Sequence, residues 1–246
     1  MKHLLSLLAL TLFASAPLLA QPAEKPAKKP ATKKSAAAKT TTTGGTAHVR
    51  FLHAAPGAPA IDIYAREGEK IKTGLAYKGL TEYTDVRSGK MALKVTAANK
   101  MEALVNDAAT LTKDKWYSIA ICMDKATPMM VLVNESSGKD YPDKARVRVV
   151  NLVSGSDGLA VTKPSTRGTD GSANFISKPV LFGKTLSKTV KPMTETIQFR
   201  DTAGKSLKEM PDMKLDAGER YTAFVVGKAG ATGEDAVDVI VKPAAK

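Results

Sequence analysis

The residues that could perform catalysis are few, and their spacing does not bring them together. Beyond the first twenty residues the only histidines are His48 and His53, and Cys122 is the only cysteine of the chain. Hydrolysis and acyl transfer need a nucleophile next to a base that activates it. Because His48 and His53 are five residues apart on one expected strand, their side chains point to opposite faces and cannot act together. We therefore predict that the chain is not an enzyme.

Sites for metals or cofactors are not expected either. Zinc sites combine several Cys and His ligands at short spacings. This chain has a single cysteine, no His-x-x-x-His pair and no clustered carboxylates at ligand spacing. Glycine loops that hold phosphate groups and the dinucleotide fingerprint are also missing. Cys122 lies in the apolar run Ile119–Met123, so we expect a buried and unreactive thiol.

Aromatic side chains are the residues best suited to bind a ligand, because binding sites rely on flat apolar rings beside a few polar groups. Aromatic residues make up 5% of the chain, and Trp116 is the only tryptophan. An exposed Trp116 could form a platform with Tyr64 and Tyr83. His53 precedes a proline-containing turn at residues 54–59 (AAPGAP) and could line a pocket at the strand end. The alternative for the aromatic residues is packing, and for His53 a capping role at the surface.

A basic segment at residues 21–46 is compositionally distinct from the rest of the chain. Proline recurs every fourth residue from Pro22 to Pro30 among alanines and lysines, which predicts disorder. The segment has a net charge of +5, and residues 47–246 carry +7 of the formal +13. It could be a solvated tether or could contact a polyanion such as an acidic polysaccharide or anionic lipid head groups. The candidate contacts are Lys25, Lys28, Lys29, Lys33 and Lys34.

Residues 1–20 have the pattern of a secretory signal peptide. Lys2 provides the positive charge, Leu4–Leu12 the apolar core, and small residues precede a predicted cut after Ala20. The apolar run is too short for a transmembrane span. We therefore predict a periplasmic protein that does not span the membrane. Nucleic acid is not an expected partner, because the protein is exported and no stacking aromatics accompany the lysines.

The elements that must position these residues are two copies of one domain. Residues 47–53 (AHVRFLH) are echoed 98 positions later by residues 145–151 (ARVRVVN). Residues 116–118 (WYS) are echoed 104 positions later by residues 220–222 (RYT). A repeat of about one hundred residues has the size of a whole domain. The predicted organisation is a first domain at 47–135, a linker at 136–144 and a second domain at 145–243.

Each copy has the pattern of an immunoglobulin-like β-sandwich. Short runs rich in β-branched and aromatic residues are separated by turn sequences, which predicts antiparallel strands in an all-β fold. Only residues 104–111 could form a short turn of helix. Tyr117 and Tyr221 each follow a turn in the manner of a tyrosine corner, in which the hydroxyl bonds back to the upstream backbone.

Two family resemblances rest on particular strings. Residues 49–64 (VRFLHAAPGAPAIDIY) are similar to the opening of the secreted domain of unknown function DUF4397, which implies no known activity. The chain from residue 47 also resembles the alginate O-acetylation protein AlgF. The strings that carry this likeness are residues 144–152 (KARVRVVNL), 221–227 (YTAFVVG) and 237–243 (VDVIVKP).

The AlgF resemblance implies a non-catalytic periplasmic protein that acts beside the acetyltransferases of an exopolysaccharide. The basic tail, the proline turn and an insertion at residues 168–171 depart from that family and leave the polymer undefined. Our first hypothesis is therefore an accessory or adaptor protein in exopolysaccharide O-acetylation, with acetyltransferases and an anionic polysaccharide as partners. The alternative is a general binding module of the cell envelope, as DUF4397 implies. An enzyme would need a pocket that gathers His53 with a hydroxyl nucleophile and a carboxylate.

Overall fold

Strands make up most of the residues described by a computed structural model, which covers residues 44–65, 68–165 and 171–244. The predicted signal peptide and the tail up to residue 43, including its candidate lysines, lie outside the described residues. Most of the predicted 168–171 insertion lies outside them as well. The described residues contain no helix long and apolar enough to cross a membrane.

The first sandwich is built from eight strands. They are β1 (Thr46–Ala54), β2 (Ile61–Ala65), β3 (Glu69–Leu75), β4 (Thr84–Arg87), β5 (Gly89–Ala97), β6 (Ala103–Leu111), β7 (Trp116–Asp124) and β8 (Thr127–Asn134). These strands form an inner sheet, ordered β4-β1-β7-β8, and an outer sheet, ordered β3-β2-β5-β6. Alternate residues such as Phe51 of the inner sheet and Ile63 of the outer sheet are buried in one apolar core between the two sheets.

The second sandwich repeats this topology strand for strand. Its strands are β9 (Ala145–Ser154), β10 (Ala160–Pro164), β11 (Ser172–Asn174), β12 (Thr185–Val190), β13 (Met193–Arg200), β14 (Ser206–Leu215), β15 (Arg220–Lys228) and β16 (Asp238–Pro243), with a 3-10 turn at Gly233–Asp235. The inner sheet is ordered β12-β9-β15-β16 and the outer sheet β11-β10-β13-β14. The internal repeat seen in the sequence is therefore also a repeat of strand order.

The predicted all-β fold with two sandwiches in tandem is confirmed, and one feature of the pairing was not expected. β1 pairs with β7 in parallel, as β9 does with β15, while the other strand pairs are antiparallel. Parallel partners come from opposite ends of each copy, and the alternation of apolar residues carries no information on strand direction. Residues 104–111, predicted as a helical turn, belong to β6, where pairing with β5 decides their conformation.

Both predicted tyrosine corners are present. The backbone N–H of Thr112 donates to the Tyr117 hydroxyl at 3.0 Å, and the N–H of Asp216 donates to the Tyr221 hydroxyl at 3.1 Å. Each bond joins a tyrosine near the start of a strand to the residue five positions upstream. The two tyrosines therefore have the fold-stabilising role that the sequence pattern predicts.

The inner sheets of the two sandwiches face each other across a third apolar core. Equivalent positions of the two copies contribute to it: Leu52 and Val150, Ala54 and Leu152, Ala120 and Phe224, Cys122 and Val226. Such self-matching is the property of a two-fold symmetric interface. Cys122 is fully buried there, and burial, with a smaller effect from Asp124, raises the pKa of its thiol to about 12. The expected inert thiol fits this environment.

Beside the third core the interface becomes polar and is centred on Glu135. This buried carboxylate accepts hydrogen bonds from Arg50 at 2.7 Å, from the Ser118 hydroxyl at 2.6 Å and from the Tyr83 hydroxyl. Arg148 of the second sandwich donates to the main-chain oxygen of Glu135 at 3.2 Å. Because apolar and polar contacts both bridge the two inner sheets, the surfaces left for a ligand are the outer sheets and the loops.

Candidate functional site

His53, a predicted surface or pocket residue, is completely buried. Its Nδ1 accepts a hydrogen bond from the N–H of Ala55 at 3.3 Å, and its Nε2 donates to the carbonyl of Pro59 at 3.0 Å. These two bonds require a neutral ring, and burial lowers its pKa, opposed in part by the Pro59 bond. The prediction of His53 on a ligand-binding surface is wrong, because the inner sheet that carries it is covered on both faces.

In the second copy, Asn151 is at the position equivalent to His53 and also forms two hydrogen bonds to the main chain. Its Oδ1 accepts from the N–H of Val153 at 3.0 Å, and its Nδ2 donates to the carbonyl of Val180 at 2.8 Å. The amide oxygen thus takes the place of Nδ1 of His53, whereas the amide nitrogen donates to a carbonyl 29 residues further on and Nε2 of His53 to one six residues further on. The difference between the two copies at this position is an exchange of equivalent hydrogen-bonding groups and not a functional site.

Trp116 and Tyr83 do lie together, as the platform interpretation requires, but their rings are already in use. The indole of Trp116 stacks on His48 with ring centroids 4.0 Å apart, and the ring of Tyr83 meets it edge-on at 4.7 Å. The guanidinium of Arg50 lies 4.7 Å from the centre of the Tyr83 ring. Packing within the inner sheet is therefore the interpretation that fits these two residues.

Tyr64 is the one predicted residue that faces an open space, and cross-strand pairing places it in a row of polar side chains. It is paired with Lys70 of β3 and with Lys94 of β5, and Lys94 is paired with Asn106 of β6. The residues on either side of Tyr64, Ile63 and Ala65, are buried in the core. Alternation therefore directs the row to the outer face of the sheet.

A cavity of about 380 Å³ lies over this row. Its polar lining comes from Tyr64, Lys94, Thr96, Lys100 and Asn106, and its apolar lining from the small residues Ala92 and Gly68 together with the exposed Met101. Its size is within the range of small-ligand sites in proteins. The short side chains over β5 leave the space that larger residues would fill.

Thr96 is an unusual member of this lining. Its side chain is 1% exposed, and its hydroxyl has no hydrogen-bond partner among the described residues. A buried hydroxyl without a partner costs stability unless something else satisfies it. Because Thr96 lines the cavity, a bound molecule or water is the natural partner for that hydroxyl.

Charge around the cavity is positive. Lys94 is half-buried and Lys100 is exposed, and neither forms an ion pair with any described residue. Asp62, the neighbouring carboxylate, is already engaged: its Oδ1 accepts from the N–H of Gly74 at 2.8 Å, which is the largest of several contacts that lower its pKa. Lys70 adds to that effect from 3.7 Å. The two lysines of the lining therefore remain available to an anion.

The described lining of this cavity offers groups that can bind a ligand. A hydrogen-bonding amide, two ammonium groups, a hydroxyl and a tyrosine ring surround the cavity, without a nucleophile beside a base. The described residues also contain no group of three or more His, Cys, Asp or Glu side chains that could hold a metal ion. Sequence reasoning missed Lys94, Thr96, Lys100 and Asn106, because only the register of β5 against β2 and β6 brings them to Tyr64.

Residues 47–162 match the family model of a domain of unknown function, DUF4397. The match includes the whole first sandwich with its cavity and ends within β10. This match supports the DUF4397 resemblance of residues 49–64, but it gives no support to the AlgF resemblance. None of the curated proteins matches the chain.

Several solved structures share short strands with the chain at low similarity. The CBMbc module (family CBM26) of Eubacterium rectale Amy13K, solved with maltoheptaose, is 13% identical over 82% of this chain and 98% of its own, with a TM-score of 0.26. Family 41 carbohydrate-binding modules from streptococcal virulence factors reach 13% identity over 75% and 94%, with a TM-score of 0.25. A fimbrial assembly protein from Parabacteroides distasonis reaches 12% over 81% and 96%, also with 0.25. At these values no argument about function rests on the likenesses.

Proposed function

We propose that this protein is a non-catalytic module of the cell envelope that binds a polysaccharide through the outer sheet of its first sandwich. The observation that carries the proposal is the row Lys70–Tyr64–Lys94–Asn106, which crosses all four strands and whose last three members line an open cavity. A ligand can lie along such a row without entering a closed pocket, as a polymer requires.

The chemistry of the lining suits a sugar ring. A sugar presents an apolar face and a rim of hydroxyl groups, and Tyr64 can offer for the first the ring face that the Lys70 ammonium, 5.3 Å from the ring centre, does not cover. The Asn106 amide can donate and accept, and the Lys94 ammonium can donate, which suits the second. The exposed Met101 gives the rim of the cavity an adaptable apolar contact.

The proposal excludes glycoside hydrolysis at this site. Cleavage of a glycosidic bond by the common mechanisms needs two carboxyl groups on either side of the bond. No described residue of the lining carries a carboxyl group. Asp62 is 3% exposed and holds backbone N–H groups, so it is unsuited to proton transfer.

Binding of the purified full-length protein to polysaccharide extracted from the envelope of the source cells tests the proposal. We expect Tyr64→Ala to weaken binding by about tenfold or more, which corresponds to about 1.4 kcal/mol. Thr162→Ala is the matched control, since Thr162 holds the place of Tyr64 in the second sandwich. Absence of binding by the unaltered protein, or equal binding by Tyr64→Ala, would contradict the proposal.

The location and the partners extend the same proposal. The signal-like residues 1–20 support export to the periplasm, and the net charge of +7 on residues 47–246 supports an anionic polymer. The strings shared with AlgF support a finer role, in which the protein is an adaptor for the acetyltransferases of an exopolysaccharide. Unchanged acetate content of the polymer after deletion of the protein would remove that finer role and leave the binding function untouched.

A further inference from the structure

We propose that the cavity selects a sugar ring that bears an anionic substituent, carboxylate or sulfate, and that Lys94 and Lys100 hold that group. This inference rests on the proposed function and names the class of its ligand. Three observations carry it: the two lysines without ion-pair partners among the described residues, the buried hydroxyl of Thr96, and the contrasting chemistry of the same row in the second sandwich.

The first observation concerns Lys94. A half-buried ammonium has lost part of its hydration, and proteins commonly offset that loss with a carboxylate. The described residues around Lys94 offer none, because Asp62 is engaged with Gly74, Asn99 and Lys70. An anion in the cavity would supply the missing partner at a position where water screens the attraction less than at an open surface.

The second observation concerns the floor of the cavity. The Thr96 hydroxyl has no partner among the described residues and is almost completely buried. A hydroxyl can donate to an anionic oxygen, and hydrogen bonds to charged acceptors are stronger than those between neutral groups. Lys94, Lys100 and Thr96 all line the same cavity, so one oxyanion group could be held from more than one side.

The third observation is the equivalent row of the second sandwich, formed by Asn174, Thr162, Gln198 and Glu209. A neutral Gln198 replaces Lys94 there, and its Nε2 donates to Glu209 at 3.2 Å. Arg200 donates to the Oε1 of Gln198 at 3.0 Å, so the row satisfies its own polar groups. A carboxylate at the place of Asn106 would also repel an anion. Anion recognition therefore belongs to the first sandwich.

The test compares three soluble polymers: polygalacturonate, dextran sulfate and neutral dextran. We expect the unaltered protein to bind one or both anionic polymers more tightly than dextran. The double variant Lys94→Gln/Lys100→Gln should lose about tenfold or more in that affinity, and a larger factor than it loses in any affinity for dextran. Lys228→Gln, an exposed lysine of the second sandwich, controls for net charge and should change affinity by less than about twofold. Circular dichroism of each variant verifies folding.

Two results would overturn the inference while leaving the proposed function intact. One is equal or tighter binding of neutral dextran by the unaltered protein. The other is unchanged binding of the anionic polymers by the double variant while Tyr64→Ala loses binding to the envelope polysaccharide. If Tyr64→Ala also binds that polysaccharide normally, the proposed function itself fails. The relative loss for polygalacturonate and dextran sulfate identifies which anionic group the lysines prefer.

Discussion

The two sandwiches have the same strand order and the same tyrosine corners, yet one equivalent row of residues on their outer sheets makes different contacts. In the first copy, Lys94 and Asn106 lie open beneath a cavity of about 380 Å³. In the second, Gln198 and Glu209 bond to each other. A satisfied polar row is a stable surface, whereas a row with unpartnered donors is prepared for a ligand. Under the proposed function, the two copies share the frame, and only the first has the binding chemistry.

A second difference lies where the copies meet. Glu135 follows β8 of the first copy, and Ala244 is at the equivalent position of the second copy. The N–H of Glu135 donates to the carbonyl of Trp116, and the N–H of Ala244 donates to the carbonyl of the equivalent residue, Arg220. Glu135 satisfies Arg50 and Ser118, whereas the Thr222 hydroxyl, equivalent to that of Ser118, has no partner among the described residues. The apolar part of the interface is therefore two-fold symmetric, whereas its polar part depends on a single carboxylate of the first copy.

Removal of that carboxylate should have the largest effect on stability. Glu135→Ala leaves the buried Arg50 without its counter-ion, and we expect a loss of about 3–5 kcal/mol. Lys113→Ala is the control, because Lys113 forms an exposed ion pair with Asp114 and should contribute only about 0–1 kcal/mol. Urea unfolding monitored by fluorescence of Trp116 measures both. Similar midpoints for the two variants would show that the asymmetry at Glu135 has no energetic importance.

How far the sequence could predict this molecule differs between the frame and the site. The repeat and the tyrosine corners could be predicted because they depend on local spacing: Tyr117 and Tyr221 reach only five residues upstream. The burial of His53 could not, because its strand is covered on one face by its own sandwich and on the other by the second copy. Alternation of apolar and polar residues predicts burial only for a strand that is covered on one face.

The cavity could not be predicted from the sequence for a related reason. Alternation in β2 predicts that Tyr64 faces outward, but its neighbours come from strands up to about forty residues away in the sequence. The register also shifts between Ile63 and Tyr64 against β3, and between Val95 and Thr96 against β6. Each shift moves residues relative to their partners, so strand prediction alone cannot assemble the row.

Substitution of His53 should have the next largest effect on stability. We expect His53→Ala to lose about 1–3 kcal/mol, because the N–H of Ala55 and the carbonyl of Pro59 lose their buried partner. His53→Asn should retain more of the stability, because Asn151 in the second copy accepts from the N–H two residues on and donates to a main-chain carbonyl. Thermal or urea unfolding distinguishes them, and a His53→Asn variant as unstable as His53→Ala would show that the two sites are not equivalent.

The same exchange predicts a change in pH dependence. Burial lowers the pKa of His53 below its ordinary value of 6.5, so the unfolded chain takes up a proton that the native protein does not. The stability of the unaltered protein should therefore fall as the pH drops below 6.5, until the native pKa is reached. The His53→Asn variant should lack this part of the loss. Equal pH dependence of the two proteins between about pH 7.5 and 5 would assign the loss to other groups.

The smallest expected effect comes from placing the lysine of the first copy into the second. Gln198→Lys lies on a partly exposed surface, and we expect its stability to stay within about 0.5 kcal/mol of the unaltered protein. It should not create a second anion site, because Glu209 would pair with the new ammonium. Titration with polygalacturonate should give an unchanged stoichiometry and affinity. A doubled stoichiometry would show that charge alone defines the site, and that the cavity and the Thr96 hydroxyl of the first copy are dispensable.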